Sequence, residues 1–304
     1  MNKGFIWEGT LYPPMVHAPS LCELENGDLF AVWYAASYET SPDTLIMSAR
    51  WNRKEKMWSK PKVIIDIPGI AVGNPVLGSH EGNIYLFYPM LFGESWKDAK
   101  IVMMVSAESD HSWGRGKIIF PRKGLMTKTK PLIFPDKRIL LPVYDERIWC
   151  SMVLISDPPY KEWRLYGDLM AKGIAIQPAV VERDDGVLLM YSRTNKGKIW
   201  QSLSYDKGYS WIASYPTSLP NPNSGIDMIK LYDGRLALVM NDLEVGRYRL
   251  VLAFSHDNGR TWKTSEILEE GEGEFSYPSL IQTKDKRVHI LYTWERVKIA
   301  HVII

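Results

Sequence analysis

The sequence is poor in cysteine, with two in 304 residues, Cys22 and Cys150. Two thiols cannot build a disulfide framework and these have no metal-ligand spacing, so both are expected to be small buried hydrophobes. A basic excess is also missing: 37 Lys plus Arg against 35 Asp plus Glu leaves a net charge of +2. That balance argues against a nucleic-acid partner. No run approaches the ~18 apolar residues of a membrane helix. The opening MNKGFIWEGTLYPP lacks the ~7–15-residue apolar core of a secretory signal. The expectation is a soluble, cytoplasmic protein with no membrane partner. No Walker loop, GxGxxG, HExxH, CxxC pair or G-x-S-x-G elbow occurs. Nucleotide, zinc and serine-hydrolase chemistry therefore lose their strongest support, and neither cofactor nor metal is expected.

Aromatic side chains are abundant, with 12 Trp, 16 Tyr and 8 Phe, and a repeat runs through the chain. Its units are HAPSLCELENGDLFAVWY from His17, NPVLGSHEGNIYLFY from Asn74, KPLIFPDKRILLPVY from Lys130, QPAVVERDDGVLLMY from Gln177, NSGIDMIKLYDGRLALVM from Asn223 and YPSLIQTKDKRVHILYTW from Tyr277. Each holds a polar or aromatic residue, a short apolar run, a turn and an alternating apolar run. Asn26-Gly27, Glu81-Gly82, Asp185-Gly186 and Asp233-Gly234 supply hairpin turns. Proline starts recur at Pro19, Pro75, Pro131, Pro178 and Pro278, with Gly225 in the fifth slot, and their steps of ~47–56 residues fit one four-stranded propeller blade each.

The second half of a unit carries its own signature. Ser204 to Trp211 and Ser255 to Trp262 are both S-x-D-x-G-x-x-W, while Ser106–Trp113 and Ser156–Trp163 keep the interval and Ser48–Trp58 stretches it. The Asp closes a tight turn, Gly supplies the positive φ, and Trp packs back on the blade. The sixth unit has room for one strand after Trp294, and GFIWEGTLY near the start reads as a strand without a unit. Joining the two would close the ring and remove open sheet edges. Length alone suggests two domains; the repeat replaces that with one all-β, six-bladed β-propeller over 1–304. Alternation instead of a 3.6-residue period leaves no helix of consequence.

Inner strands of a propeller run in one sense along the axis, so their first residues ring one face: His17, Asn74, Lys130, Gln177, Asp227 and Tyr277. The loops at 34–43, 88–100, 144–149, 192–198, 241–249 and 293–298 return to that face. They carry Glu39, Asp43, Glu94, Asp98, Asp145, Glu146, Arg193, Asp242, Glu244, Arg247 and Arg249. Trp96 and Trp149 stand in or beside them, able to stack on sugar rings or to pack between blades.

The S-x-D-x-G-x-x-W boxes and six phased repeats resemble the sialidase superfamily over essentially the whole chain, and in particular its divergent BNR-repeat branch. The resemblance implies a six-bladed propeller and a site at the face where inner strands begin. Sialidases hold a substrate carboxylate with three arginines, whose planar forks match it. They attack with a tyrosine activated by a glutamate and protonate the leaving oxygen with an aspartate. Tyr277 in SYPSL is similar to the nucleophile, Arg193 in YSRTN to the second arginine, and Arg247 or Arg249, with Arg249 preferred, to the third. The acid would be Glu39 or Asp43. Two slots depart from the pattern. His17-Ala18-Pro19 stands where sialidases read R-I-P, and Gln177, which cannot act as a base, stands at or beside the glutamate slot.

The leading expectation is an exo-glycoside hydrolase acting on an acidic or deoxy sugar. Tyr277, His17, Glu39 and Asp43 would be catalytic, and Arg193, Arg249, Arg247, Gln177 and Asp227 would bind substrate. A lyase using His17 and Tyr277 for β-elimination beside a uronate, and a non-catalytic glycan-binding propeller, stay open. The expected partner is a carbohydrate bearing an anionic group, bound by a plausibly monomeric chain.

Overall fold

A computed structural model describes residues 1–7, 13–107, 112–167 and 171–304. Among these residues, twenty-six strands form six antiparallel sheets, the blades of a propeller. Blade 1 runs outward from Met15–Glu23 through Leu29–Ala36 and Leu45–Asn52 to Met57–Trp58, with Lys62–Asp66 also on its third strand. Blades 2, 4 and 5 start at Val76–His80, Ala175–Glu182 and Asp227–Lys230. Blade 3 is irregular: its inner position is shared by Leu125–Met126 and Leu132–Ile133, both paired to Ile139–Asp145. Among the described residues the one helical element is a short 3-10 turn, Trp96–Asp98.

Blade 6 closes the ring. Phe275–Gln282, Val288–Trp294 and Lys298–Ile303 come from the C-terminal end, and Asn2–Trp7 pairs antiparallel with Lys298–Ile303 as the outermost strand. The expected closure strand is present, although the 8–12 part of that segment lies outside the described residues.

Alternation puts half of each strand into a seam with the next blade, so the core is six seams, not one centre. Cys150, Met152, Leu154, Val76 and Phe87 fill the seam of blades 2 and 3. Val16, Leu21, Trp33, Ile6, Leu291 and Ile299 fill that of blades 6 and 1, where the ring closes. Cys22 and Cys150 are buried hydrophobes of this kind.

The Asp boxes clamp these seams. Ser204 Oγ donates to Asp206 Oδ1 at 2.8 Å and accepts from Gly208 N at 2.8 Å. Asp206 Oδ1 then takes Ser210 N at 2.8 Å, and Trp211 Nε1 donates to Gly208 O at 3.0 Å. Gly208, at φ 99°, is obligatory: a Cβ there would stand 2.5 Å from Leu140 Cδ1 of blade 3. The Trp does not fold onto its own blade alone, since Trp211 packs in the seam of blades 3 and 4 and Trp262 in that of blades 4 and 5. Trp58, Trp113 and Trp163 take the same place in their seams, while the interior of the Ser106–Trp113 box, 108–111, lies outside the described residues.

Candidate functional site

Four inner strands break at one level. The residue before the strand's proline adopts a left-handed backbone: Ala18 at φ 52°, Asn74 at 36°, Gln177 at 53° and Tyr277 at 55°. The ladders of blades 1, 4 and 6 slip there, between His17/Ser20, Ile176/Ala179 and Ser276/Ser279. Proline cannot donate to the ladder, so the strand bulges and re-aims the preceding side chain. A left-handed non-glycine residue costs about 1–3 kcal/mol, and this strain recurs around one end of the channel. In blade 1 the slot falls on Ala18, not on His17. His17 stands one position earlier, opposite Tyr34, as Ile176 stands opposite Arg193 and Ser276 opposite Thr293.

Tyr277 is the hub of what these bulges gather. Its Oη accepts from Gln177 Nε2 at 3.0 Å and from Arg193 NH1 at 2.9 Å. Arg193 NH1 also donates to Gln177 Oε1 at 3.0 Å, and Arg193 Nε donates to Asn223 Oδ1 at 2.7 Å. Because guanidinium only donates, Gln177 must turn its oxygen to Arg193 and its amide protons to the tyrosine. Gln177 Nε2 lies 3.5 Å from Tyr144 Oη, which Asn74 Nδ2 approaches at 3.4 Å. Gly225 leaves room for this packing, since a Cβ there would stand 3.1 Å from both Gln177 Oε1 and Lys128 Cε.

Cations surround the ring of Tyr277. Lys128 Nζ lies 5.3 Å from its centroid, and the guanidinium carbons of Arg193 and Arg247 each lie 6.0 Å away. Arg247 donates to Glu274 Oε1 at 2.9 Å and to Asn223 O at 2.8 Å. Arg296 reaches Glu274 at 3.3 Å and Glu39 at 3.4 Å. Burial pushes the Glu274 carboxyl up, but Arg296 and Arg247, with Ser276 donating at 2.9 Å, hold it below the usual range. Among the described residues no carboxylate pairs with Arg193 or Lys128 at ion-pair distance. Burial brings the Lys128 ammonium down to about 8.

His17 packs against Tyr277, with ring centroids 4.0 Å apart and planes at 44°. Its Nδ1 is 3.0 Å from Thr293 Oγ1, which also accepts from Ala18 N at 3.1 Å. Burial, then the charges of Arg296, Arg247, Lys128 and Arg193, lower its pKa well below 6.5, so the imidazole is neutral. Burial raises the Glu146 carboxyl, Arg193 lowers it, and nearby Glu39 raises it again. Trp96 and Trp149 form an apolar shelf with Ala99, Met126, Tyr144 and Ile176.

Of the residues expected from the sequence, the structure brings together Tyr277, His17, Gln177, Arg193 and Arg247, with Glu39 joined through Arg296. Three others are used elsewhere. Arg249, the preferred third arginine, pairs with Asp242 and Glu270, each at 3.1 Å. Arg249 opens the strand Arg249–Ser255 and lies opposite Glu270 of the outer strand, while Arg247, in the loop before it, reaches Tyr277. Asp43 is a loop cap, accepting from Ser37 N at 3.1 Å and Ser37 Oγ at 2.5 Å. Asp227 is an interblade tie, paired with Lys130 and accepting from Leu280 N at 2.9 Å. Asp145 is likewise buried between Arg122 and Arg147, each at 2.7 Å. Sequence reasoning missed Arg296, Glu274, Tyr144, Asn223 and Lys128. Arg296 lay within the 293–298 loop, but nothing in the repeat marks it.

The model of the BNR repeat-like domain family matches residues 27–290. No curated protein matches the chain. Among solved structures, the chain is similar to the Hadza microbial sialidase Hz136, with TM-score 0.87 and 19% identity over 99% of this chain and 68% of that one. It is similar to a protein of unknown function from Dyadobacter fermentans, with TM-score 0.83 and 16% identity over 100% of this chain and 97% of that one. It is also similar to the NanB sialidase of Streptococcus pneumoniae, with TM-score 0.81 and 13% identity over 98% of this chain and 70% of that one. At such identities the likeness speaks for the fold, and the family match speaks for the kinship. The chain belongs to the BNR repeat-like family and has the sialidase-like six-bladed propeller.

Proposed function

We propose that the protein is a sialidase-like exo-glycoside hydrolase acting on an acidic or deoxy sugar at the face where the inner strands begin. One observation carries this reading: Tyr277 Oη is held by Gln177 and Arg193 inside a cluster of arginines, and Arg193 itself has only neutral partners among the described residues. A fork-shaped cation held without a counter-charge is a receptor for a planar anion. Arg193, Arg247 and Arg296 would take the sugar's anionic group, with Arg247 in the role expected of Arg249. Tyr277 would stabilise the positive charge that develops at the anomeric carbon, its oxygen already oriented by two donors. Glu146 is the proton donor we favour, because burial raises its carboxyl, while Glu39 is bound to Arg296. His17 would contact the sugar where the family's arginine is absent.

Gln177 favours a second reading, a glycan-binding propeller without turnover. An amide donates to Tyr277 Oη but cannot take the phenolic proton. The lyase reading has less support, because an imidazole whose pKa is lowered so far is a weak base for abstracting a carbon-bound proton.

Turnover of aryl glycosides of sialic acid, other 2-keto acids, uronic acids and deoxy sugars tests the choice. Release from an acidic sugar, lost in Tyr277→Phe, is the expected result. Binding with no release from any sugar would establish the glycan-binding reading, and an ultraviolet-absorbing unsaturated product would establish the lyase.

A further inference from the structure

Four consecutive residues in the irregular inner part of blade 3 reach four other blades. Thr127 Oγ1 donates to Asn74 O of blade 2 at 2.8 Å. Lys128 Nζ donates to Pro278 O of blade 6 at 3.0 Å. Thr129 Oγ1 donates to Pro178 O of blade 4 at 2.5 Å. Lys130 pairs with Asp227 of blade 5. The first three acceptors are carbonyls at the left-handed bulges: Asn74 itself and the prolines that follow Gln177 and Tyr277. Thr127, Lys128 and Thr129 are all buried. Blade 3 has no pre-proline left-handed residue of its own; its inner strand is instead split around these donors.

The geometry points to Thr127-Lys128-Thr129 as the positioning element of the site, a tripod that fixes the bulges presenting Asn74, Gln177 and Tyr277. The inference rests on Tyr277 as the acting group. Strained bulges hold only where the surroundings over-determine them, and a charged donor on the Pro278 carbonyl is the stronger kind of hydrogen bond. Lys128 does double duty, since its ammonium also lies over the Tyr277 ring. The residues are positioning residues: each acts through a backbone carbonyl, and none is assigned to the substrate.

The test uses the full chain labelled with carbon-13 at the tyrosine ζ position, with the Tyr277 and Tyr144 resonances identified by their loss in Tyr277→Phe and Tyr144→Phe. Lys128→Met is expected to move or split the Tyr277 resonance. Thr129→Val should move both resonances through Gln177, and Thr127→Val should move Tyr144 alone through Asn74. Lys128→Arg, which keeps a charged donor, should restore a single Tyr277 line. On a hydrolysed substrate, kcat should fall on the order of 100-fold in Lys128→Met, as a misplaced reacting group requires, with KM little changed. If Lys128→Met does not fold, the two valine variants, which nearly conserve shape, carry the test. A folded Lys128→Met with an unmoved Tyr277 line, or the same shift pattern in all three variants, overturns the tripod. Absence of turnover in the parent protein with the resonance pattern intact overturns the hydrolase reading and leaves the tripod standing.

Discussion

The propeller repeats two local devices, one at the outer turn of the blades and one at the inner, and they are built in opposite ways. In the two complete Asp boxes the Ser, Asp, Gly and Trp recur with the same bonds among themselves. Ser204 and Ser255 bond Asp206 and Asp257, and Gly208 N and Gly259 N bond the serines, all at 2.8 Å. In the inner bulges the backbone repeats, with φ between 36° and 55°, but the side chain changes from Ala18 to Asn74, Gln177 and Tyr277. A constant side chain with constant partners is scaffold. A constant backbone that presents different polar groups to one another is how a site is assembled from a symmetric fold.

The contrast can be broken at either end. Tyr277→Phe is expected to lower turnover on the order of 1000-fold, and to change unfolding free energy by no more than about 1–2 kcal/mol. Asp257→Ala should do the reverse, removing about 1–2 kcal/mol of stability through lost capping bonds with turnover per folded molecule unchanged. Denaturant unfolding beside steady-state kinetics reads both; a box variant that lost activity while folded would erase the distinction.

A smaller effect separates two arginines on one loop. Arg247→Ala should raise KM for an acidic sugar about 10-fold or more, as loss of a charged hydrogen bond does. Arg249→Ala, which breaks a partly exposed pair, should leave KM within about twofold and stability within about 1 kcal/mol. Equal effects would return the third arginine to Arg249.

A pH-dependent effect lies at the closure seam. Trp58 Nε1 donates to His301 Nδ1 at 3.0 Å, so the His301 Nε2 proton goes to His289 Nδ1, also at 3.0 Å. Burial lowers His289 to about 4 and His301 to about 3, both from 6.5. The unfolded chain then binds protons that the folded chain refuses. Their contribution is complete above pH 6.5 and is lost as pH falls through 4 and 3, with His17 adding to the same slope. Chemical denaturation across that range should show falling stability, and His289→Gln should flatten the fall.

The fold was legible because its signals are local and repeated. Asn-Gly and Asp-Gly turns put glycine at the positive φ that Gly27, Gly186 and Gly234 adopt, and the box spacing located each Trp. The site was legible where a side chain sits at a repeat landmark, as Gln177 and Tyr277 do beside their prolines, or in a motif that the resemblance marks, as Arg193 does in YSRTN. Arg249, Asp43 and Asp227 look equally suitable as residue types, yet neighbours claim them. Which arginine of Arg247 and Arg249 turns inward depends on a loop with no repeat to phase it. Arg296 and Lys128 reach the site from a closing hairpin and a broken strand, and no periodicity describes either.

Central to this account is an anion-recognising sugar site built around Arg193 and Tyr277. Titration calorimetry with an acidic sugar and its neutral methyl ester, on the parent protein and on Arg193→Met, tests it most directly. The acid should bind at least about 10-fold more tightly than the ester, and Arg193→Met should lose that preference while staying folded. Equal binding of acid and ester by the parent protein, or a preference that survives Arg193→Met, would contradict it.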